Sequence, residues 1–226
     1  MFEGVNLQPL WVTLKVAFYT TVLLVVLGSP LALWLARVQG MKKAVFEAIV
    51  ALPLVLPPTV LGFYLLVTLG PGGFIGEIWG SFGFSPLAFS LTGLVIGSFL
   101  YSLPFAIQPL MHGFEMLGRR PSEVAATLGA GPLDRFFSVI LPLTRRHYLI
   151  AATLAFAHTV GEFGVVLMIG GNIPGVTKVA SIAIYDHVDA LEYHQAHVLS
   201  AIMLVMSLLV LTFVYGLNRR MEVKVG

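Results

Sequence analysis

The 226-residue chain is organised around one polar segment, residues 118–148, which reads GRRPSEVAATLGAGPLDRFFSVILPLTRRHY. Its first half has the features of a helix start. Pro121 or Ser122 is a suitable first residue for a helix. Glu123 then lies in the first turn, where the helix dipole favours an anion. The first half of the segment therefore predicts a short helix.

The second half of the segment predicts a sharp turn and a second helical stretch. Gly129, Gly131 and the proline that follows interrupt the first helix. An amphipathic stretch from Leu133 to Ile140 comes next and is predicted to end at Leu141-Pro142. We therefore expect a compact helix-turn-helix at one surface of the protein, within a loop that spans residues 119–146.

On either side of this segment the chain is too apolar for a soluble protein. Hydrophobic residues make up 58% of it and charged residues 11%, with a mean hydropathy of +0.92, whereas soluble domains carry about 25% charged residues. A helix needs about 20 apolar residues to cross a bilayer. Five stretches are long enough: Leu10–Leu35, Phe46–Leu69, Leu87–Met111, Tyr148–Ile169 and His197–Leu217.

The predicted fold class is thus an all-α integral membrane protein, a single domain over residues 1–226 with five transmembrane helices. A net charge of +2 gives no reason to expect a nucleic-acid partner. The absence of cysteine excludes disulfides, thiolate metal sites and cysteine nucleophiles. The first apolar stretch is too long for a cleaved signal peptide, so we expect it to remain as an anchor.

The distribution of basic residues predicts the orientation in the membrane. The loop at 36–45, the loop at 112–147 and the C-terminal tail hold 11 of the 13 Lys and Arg residues, whereas the loop at 70–86 has none and the loop at 170–196 has only Lys178. Basic loops stay in the cytoplasm. We therefore expect a cytoplasmic C-terminus and a periplasmic N-terminus.

Prolines and hydroxyl groups inside the apolar stretches are candidates for a translocation path. Proline removes a backbone donor, and such backbone survives in a membrane where protein covers it or where it lines a polar cavity. A gate and a simple kink are both compatible with this pattern. The candidate path or gate residues are Pro57, Pro58, Thr59, Ser98, Ser102 and Thr159.

His158 and Glu162 are four residues apart in the fourth apolar stretch and share one helix face. Ionisable groups at membrane depth are candidates for function. We expect this polar pair to be structural, because a bare carboxylate in an anion path would repel the anion; a proton relay is the alternative. The acidic residues and histidines between Asp186 and His197 lack a metal-ligand motif, so neither a metal site nor a cofactor is predicted.

Residues 123–142 resemble the cytoplasmic loop in permease subunits of type I ABC importers. That loop has the form EAA, three residues, Gly, nine residues, I-x-L-P. The matching residues here are Glu123, Val124, Ala125, Gly129, Val139, Ile140, Leu141 and Pro142, with Val124 and Val139 as apolar departures. The resemblance implies that this loop is a coupling helix that docks on an ATP-hydrolysing subunit, with Ala125, Ala126 and Gly129 offering a surface of small side chains.

Other segments are similar to the molybdate permeases within that family: ALPLVLPPTVLGF (51–63), LGPGGFIGE (69–77), VGEFGVVLMI (160–169) and NIPGVTKVASIAIY (172–185). Tungstate and sulfate permeases are close relatives. The resemblance implies a homodimer in the inner membrane, two ATP-binding cassette subunits and a periplasmic molybdate-binding protein. The chain itself is not an enzyme by this interpretation, since it has no phosphate-binding G-x-x-x-x-G-K-[ST] motif.

Two other classes of protein are weighed against a permease. Moving a dianion inward against an inside-negative potential costs about 4.6 kcal/mol per 100 mV. Through a passive pore the dianion would therefore flow outward. A proton-coupled secondary transporter would have to use His158 and Glu162, but the inverted repeats typical of such folds are not evident. A membrane-embedded enzyme or scaffold lacks a convergent set of catalytic groups.

Overall fold

The computed structural model describes residues 6–220, and within this range every regular element is helical. The helices are α1 (Gln8–Leu35), α2 (Met41–Val55), α3 (Pro58–Leu69), α4 (Phe74–Ser81), α5 (Leu91–Leu117), α6 (Arg120–Thr127), α7 (Pro132–Arg135), a π-helical segment (Phe136–Ile140), α8 (Leu141–Val160), α9 (Gly164–Gly170), α10 (Ala180–Asp189) and α11 (Tyr193–Arg220).

Four stretches within the described range are long and apolar enough to cross a membrane: Gln8–Leu35, Pro58–Ser81, Leu91–Leu117 and Tyr193–Asn218. A fifth crossing is obtained when the pair Pro132–Val160 and Gly164–Gly170, bent by 63°, is counted as one span. The all-α membrane class predicted from composition is therefore confirmed. We name the two ends of the bundle after the short helices that lie there. The α6 end carries α6, and the α10 end carries α10.

The second apolar stretch, 46–69, was expected as one helix, but the structure divides it into α2 and α3. Leu56 and Pro57 have extended backbones, with ψ angles of 133° and 135°. Each of them precedes a proline, and the residue before a proline avoids the α-helical region. Two prolines in succession therefore break the helix, whereas Pro53 is accommodated inside α2.

The fourth stretch also differs from the prediction at both of its ends. The helical stretch that was expected to end at Leu141-Pro142 instead continues through the π-helical segment into α8. The wider π turn, in which the N–H of Leu141 bonds to the carbonyl of Phe136, precedes Pro142 in the first turn of α8. At the other end, α8 stops at Val160, and α9 follows after a three-residue break.

Two regions that were expected to be loops contain helices at the α10 end. The loop at 70–86 includes α4, and the loop at 170–196 includes α10. The chain before α10 is ordered by Thr177, whose buried hydroxyl donates to the carbonyl of Gly170 at 2.6 Å and accepts from the N–H of Ile173 at 3.0 Å.

The core of the bundle is built by α1, α5 and α8, which pack against one another along their lengths. At the α6 end the buried apolar cluster consists of Ala32, Leu35, Val50, Ile107, Leu110, Phe114, Ile140 and Ala151. At the α10 end a second cluster consists of Val12, Val16, Leu94, Val166, Val179 and Ile182. By contrast, only 11% of the most apolar window of α11 is buried in this chain.

Thr13 fixes α10 to α1. Its hydroxyl accepts from the N–H of Ala180, the first residue of α10, at 2.8 Å and donates to the carbonyl of Pro9 at 2.8 Å. The side chain is 2% exposed. One buried hydroxyl thus satisfies a helix-end donor that α10 cannot satisfy by itself.

We predict that Thr13→Val lowers the free energy of unfolding by about 1–3 kcal/mol, because valine fills the same space but leaves the N–H of Ala180 without an acceptor. Thermal unfolding of the purified protein in lipid nanodiscs measures the change. Thr68→Val is the matched control, since its hydroxyl only donates to carbonyls of its own helix. Equal loss of stability in both variants would contradict the anchoring role.

Candidate coupling surface and translocation path

The coupling segment, residues 119–146, lies at the α6 end and exposes apolar side chains. Of the predicted coupling residues, Glu123, Val124 and Ala126 are exposed on α6, and Ala125 is half-buried. Leu128 and Leu133 are 82% and 74% exposed. A contiguous stretch of exposed apolar side chains typically marks an interaction surface.

The remaining coupling candidates occupy the turn and the start of the long helix. Gly129 is exposed in the turn after α6. Val139 and Leu141 are half-buried and Pro142 is exposed, while Ile140 between them is buried in the core cluster at the α6 end. The exposed surface is therefore attached to the bundle through Ile140, the last residue of the π-helical segment.

Gly129 ends α6 in a Schellman motif. The N–H of Ala130 bonds to the carbonyl of Ala125, and the N–H of Gly129 bonds to that of Ala126, both at 3.0 Å. Gly129 has φ = +90°, and a Cβ atom added there would meet nothing within 4 Å. Within this chain the glycine is thus needed for its backbone conformation and not for space.

Polar contacts join neighbouring elements at the α6 end, one of them from the coupling segment. Arg119 donates to the carbonyl of Arg37, after α1, at 3.3 Å. Lys43, on α2, forms an ion pair with Glu115 near the end of α5. The hydrogen bond to Glu115 raises the pKa of Lys43, against a smaller opposing effect of burial.

The breaks in the second and fourth apolar stretches face each other. A Cβ atom added to Gly164, the first residue of α9, would lie 2.7 Å from the Cβ of Pro58, the first residue of α3. One turn further, Gly62 makes a similar close approach to Met168. The two interrupted helices are therefore in contact directly after their breaks, at the level where both lack regular backbone hydrogen bonds.

A cavity of about 560 Å³ lies beside the two breaks. We name it the break cavity. Its lining includes Pro58, Thr59, Tyr101, His158 and Glu162. The cavity thus brings together two of the predicted path residues and both members of the predicted polar pair.

The other path candidates are placed around the break cavity but not on its lining. Ser102 and Thr159 are buried, and Ser102 contacts both His158 and Thr159. Ser98 is buried beside the carboxyl of Glu162. Pro57 is exposed at the break itself. Residues from three separate apolar stretches thus converge on one region.

The expected pairing of His158 with Glu162 is not formed. His158 Nδ1 is instead 2.8 Å from Ser102 Oγ. Glu162 is 4% exposed, and neither carboxyl oxygen has a hydrogen-bond partner within the described part of the chain. The turn at Gly161 explains this, because Glu162 lies beyond the last residue of α8, and the regular spacing that would have aligned the two side chains ends there.

Ser181 is a residue that the sequence interpretation missed. Its hydroxyl donates to the backbone carbonyl of Glu162 at 2.6 Å. The break between α8 and α9 is therefore supported by a side chain from α10. No pattern in the sequence indicated this contact, because it joins residues 19 positions apart across a helix break.

Three of the acidic residues and histidines at the α10 end, Asp186, His187 and Glu192, are paired. Asp186 bonds to Lys178 at 2.5 Å and to Asn172 at 2.9 Å, and His187 bonds to Glu192 at 2.7 Å. Burial alone would raise the pKa of Asp186, but the hydrogen bonds from Lys178 and Asn172 outweigh it and lower the pKa. Among the described residues no three of these side chains are placed to hold a metal ion.

Comparison with solved structures supports the fold. The chain superimposes with a TM-score of 0.75 on a subunit of a bacterial ABC transporter that imports the acidic polysaccharide alginate. The match covers 96% of this chain and 80% of the other, at 16% sequence identity. The likeness extends over nearly the whole bundle.

Comparison of sequences identifies close relatives. The chain is 56% identical to the molybdenum transport system permease protein ModB of Azotobacter vinelandii, over 95% of each chain. It is 36% identical to the protein of the same name from Escherichia coli K12, over 79% of this chain and 78% of the relative. The family model described as binding-protein-dependent transport system inner membrane component matches residues 28–225. The chain therefore belongs to the family of inner membrane components of binding-protein-dependent transport systems, as a multi-pass permease.

Proposed function

We propose that this chain is the membrane-spanning subunit of an ATP-driven importer of molybdate. The observation that carries the proposal is the 56% identity, over 95% of each chain, to a molybdenum transport permease. The exposed apolar surface of the coupling segment supports it, because a permease without a phosphate-binding loop has to receive its energy from a separate ATPase subunit.

In the proposed orientation the α6 end is cytoplasmic and the α10 end is periplasmic. The basic residues of the coupling segment and of the turn between α1 and α2 lie at the α6 end, and basic residues accumulate on the cytoplasmic side. The coupling segment then faces the ATPase subunit. The α10 end faces a periplasmic molybdate-binding protein, which delivers the anion.

The proposed coupling route is the continuous helix from Pro132 to Val160. It connects the exposed surface at Leu133 with the break cavity at His158, a span of about 40 Å at 1.5 Å per residue. A movement of the ATPase surface against Leu133 displaces the whole helix. The break after Val160 separates that movement from α9, so the contact between Pro58 and Gly164 can open or close.

A single chain leaves one side of the break cavity open. Thr59, Ala157 and Gly161 on its lining are exposed, and the irregular backbone at these two breaks needs a cover at membrane depth. A second copy of the chain, related by a two-fold axis, would enclose the path, and two-fold symmetry is the commonest arrangement of homo-oligomers. The proposed assembly is thus a homodimer with two ATP-binding cassette subunits.

Reconstitution tests the proposed function directly. Proteoliposomes containing this chain, its ATPase subunit and the molybdate-binding protein are expected to take up molybdate only with ATP, and vanadate is expected to stop uptake while ionophores leave it unchanged. Tungstate and sulfate are offered as competitors. Uptake of sulfate in preference to molybdate would overturn the substrate assignment, and uptake that follows a proton gradient without ATP would overturn the energy source.

For the turn at Gly129 we predict that valine uncouples ATP hydrolysis from transport. A residue other than glycine at φ = +90° costs about 1–2 kcal/mol, and a β-branched side chain is the least tolerated, so α6 changes its angle to the ATPase. We expect a several-fold fall in molybdate uptake per ATP hydrolysed, whereas Gly129→Asn should retain most of it, because asparagine accepts positive φ.

Gly131→Val is the matched control for the turn. Gly131 also has open space around it, but its φ of −69° suits any residue. Normal coupling in this variant together with loss of coupling in Gly129→Val assigns the effect to backbone conformation. Equal loss in both variants would instead mean that the partner requires small side chains in the turn.

For the path we predict that anionic thiol reagents block uptake in Thr59→Cys. The natural chain has no cysteine, so the introduced thiol is the only target that this chain offers. Thr59 lines the break cavity, whereas Leu204, on the exposed face of α11, does not. A methanethiosulfonate with a sulfonate group should inhibit Thr59→Cys several-fold and leave Leu204→Cys unaffected. Unimpaired uptake after complete labelling at Thr59 would exclude this cavity from the path.

A further inference from the structure

The protonation state of His158 follows from the hydrogen bonds around it. Thr159 has one hydroxyl hydrogen, and it is donated to the carbonyl of Ala155, 2.9 Å away. Ser102 Oγ, 2.9 Å from Thr159 Oγ1, must therefore be the donor in that contact. Since the hydrogen of Ser102 is then used, its oxygen can only accept from His158 Nδ1, at 2.8 Å. Neutral His158 thus carries its hydrogen on Nδ1.

The other ring nitrogen of His158, Nε2, is consequently a bare hydrogen-bond acceptor. The ring is held in place by Phe105, which stacks on it with 4.0 Å between ring centroids, and by Tyr101 at 4.7 Å. His158 is half-buried and lines the break cavity. The network of Ser102 and Thr159 occupies Nδ1, so a proton added to this ring goes to Nε2.

Glu162 is the second ionisable acceptor residue on the lining of the same cavity. Its two carboxyl oxygens are buried without a hydrogen-bond partner among the described residues, and Ser98 is the polar side chain that α5 places beside them. The carbonyl of Glu162 is already occupied by Ser181. Within residues 6–220, no lysine or arginine lines the cavity. A carboxylate in this position has neither a cation nor an adequate set of donors.

Molybdate and related tetrahedral dianions have only acceptor oxygens, so they cannot form a hydrogen bond with a bare imidazole nitrogen or with a carboxylate. A proton is needed at each contact. We propose that the break cavity is a binding site for the oxyanion in transit, and that His158 and Glu162 bind it only when Nε2 and the carboxyl group carry protons. The identity of the anion rests on the proposed function.

The proton balance of this site is simple. One proton from the periplasmic side binds Nε2, giving an imidazolium whose Nδ1–H stays with Ser102, and a second converts the carboxylate of Glu162 into an acid. The N–H and O–H then donate to two oxygens of the dianion. Other titratable groups near the site are Tyr101 on α5 and Tyr185 on α10, which packs against Phe163; α3 contributes the hydroxyl of Thr59.

The test is the pH dependence of uptake in the reconstituted complex, expressed per ATP hydrolysed in the same vesicles between pH 5.5 and 8.5. Wild-type uptake should fall as the pH rises, approaching tenfold per pH unit for each proton that is required. Glu162→Gln and His158→Gln replace titrating groups by amides that always donate. We expect reduced maximal uptake in each variant, a shallower pH profile, and less than twofold variation over this range in the double variant.

His112→Gln is the matched control, because His112 is an exposed histidine near the α6 end of α5, outside the break cavity. It should keep the wild-type profile. A flat wild-type profile, or an unchanged slope in the double variant, would overturn the proposal. So would a Glu162→Gln complex that is folded and assembled but wholly inactive, since that result requires release of a proton and not merely its donation.

Two further outcomes distinguish failure of the site proposal from failure of assembly and from failure of the proposed function. If Glu162→Gln fails to assemble, His158→Gln alone decides, and an unchanged slope in that variant overturns the proposal. If the wild-type complex shows no ATP-dependent molybdate uptake at any pH, the proposed function fails instead. Thermal unfolding of every variant, measured on the same preparation, separates loss of binding from loss of fold.

Discussion

The requirement that backbone polar groups be satisfied at membrane depth governs the centre of this bundle. Pro57 and Pro58 remove the two N–H groups that would serve the carbonyls of Pro53 and Leu54. The break after Val160 interrupts a second helix. The fold brings these two breaks together, with Pro58 against Gly164, and uses Ser181 to satisfy a carbonyl in the second. The two breaks thereby cover part of each other's irregular backbone, and a cavity is left beside them.

The features that sequence could predict are those set by local composition. Residues that are adjacent in the chain determine three such features: stretches of about 20 apolar residues, a basic loop, and a helix that stops at Gly129. Each of these features has a counterpart in the structure. The division of the second stretch was also present in the sequence, because two adjacent prolines each exclude the α conformation from the residue before them. Treating them as a kink underestimated that effect.

Other features depend on packing and could not be obtained from spacing. His158 and Glu162 are four residues apart, which implies a shared face only while the helix continues. Helix α8 ends between them, and His158 bonds to Ser102, which is 56 residues away in the chain. Similarly, Pro142 suggests a helix end, but a π turn before it lets the helix continue. Both errors come from local rules that tertiary structure overrides.

Charges are distributed so that the ends of the bundle are fixed while its middle carries few of them. Lys43 with Glu115 and Lys178 with Asp186 tie short elements together at opposite ends, where solvent screens them. Near the breaks, the ionisable side chains on the cavity are Tyr101, His158 and Glu162, so the cavity carries at most the single positive charge of a protonated His158. A path of this kind attracts an anion only weakly. Because an importer must also release its cargo, the work of moving the dianion inward has to come through the helix that joins the coupling segment to the break.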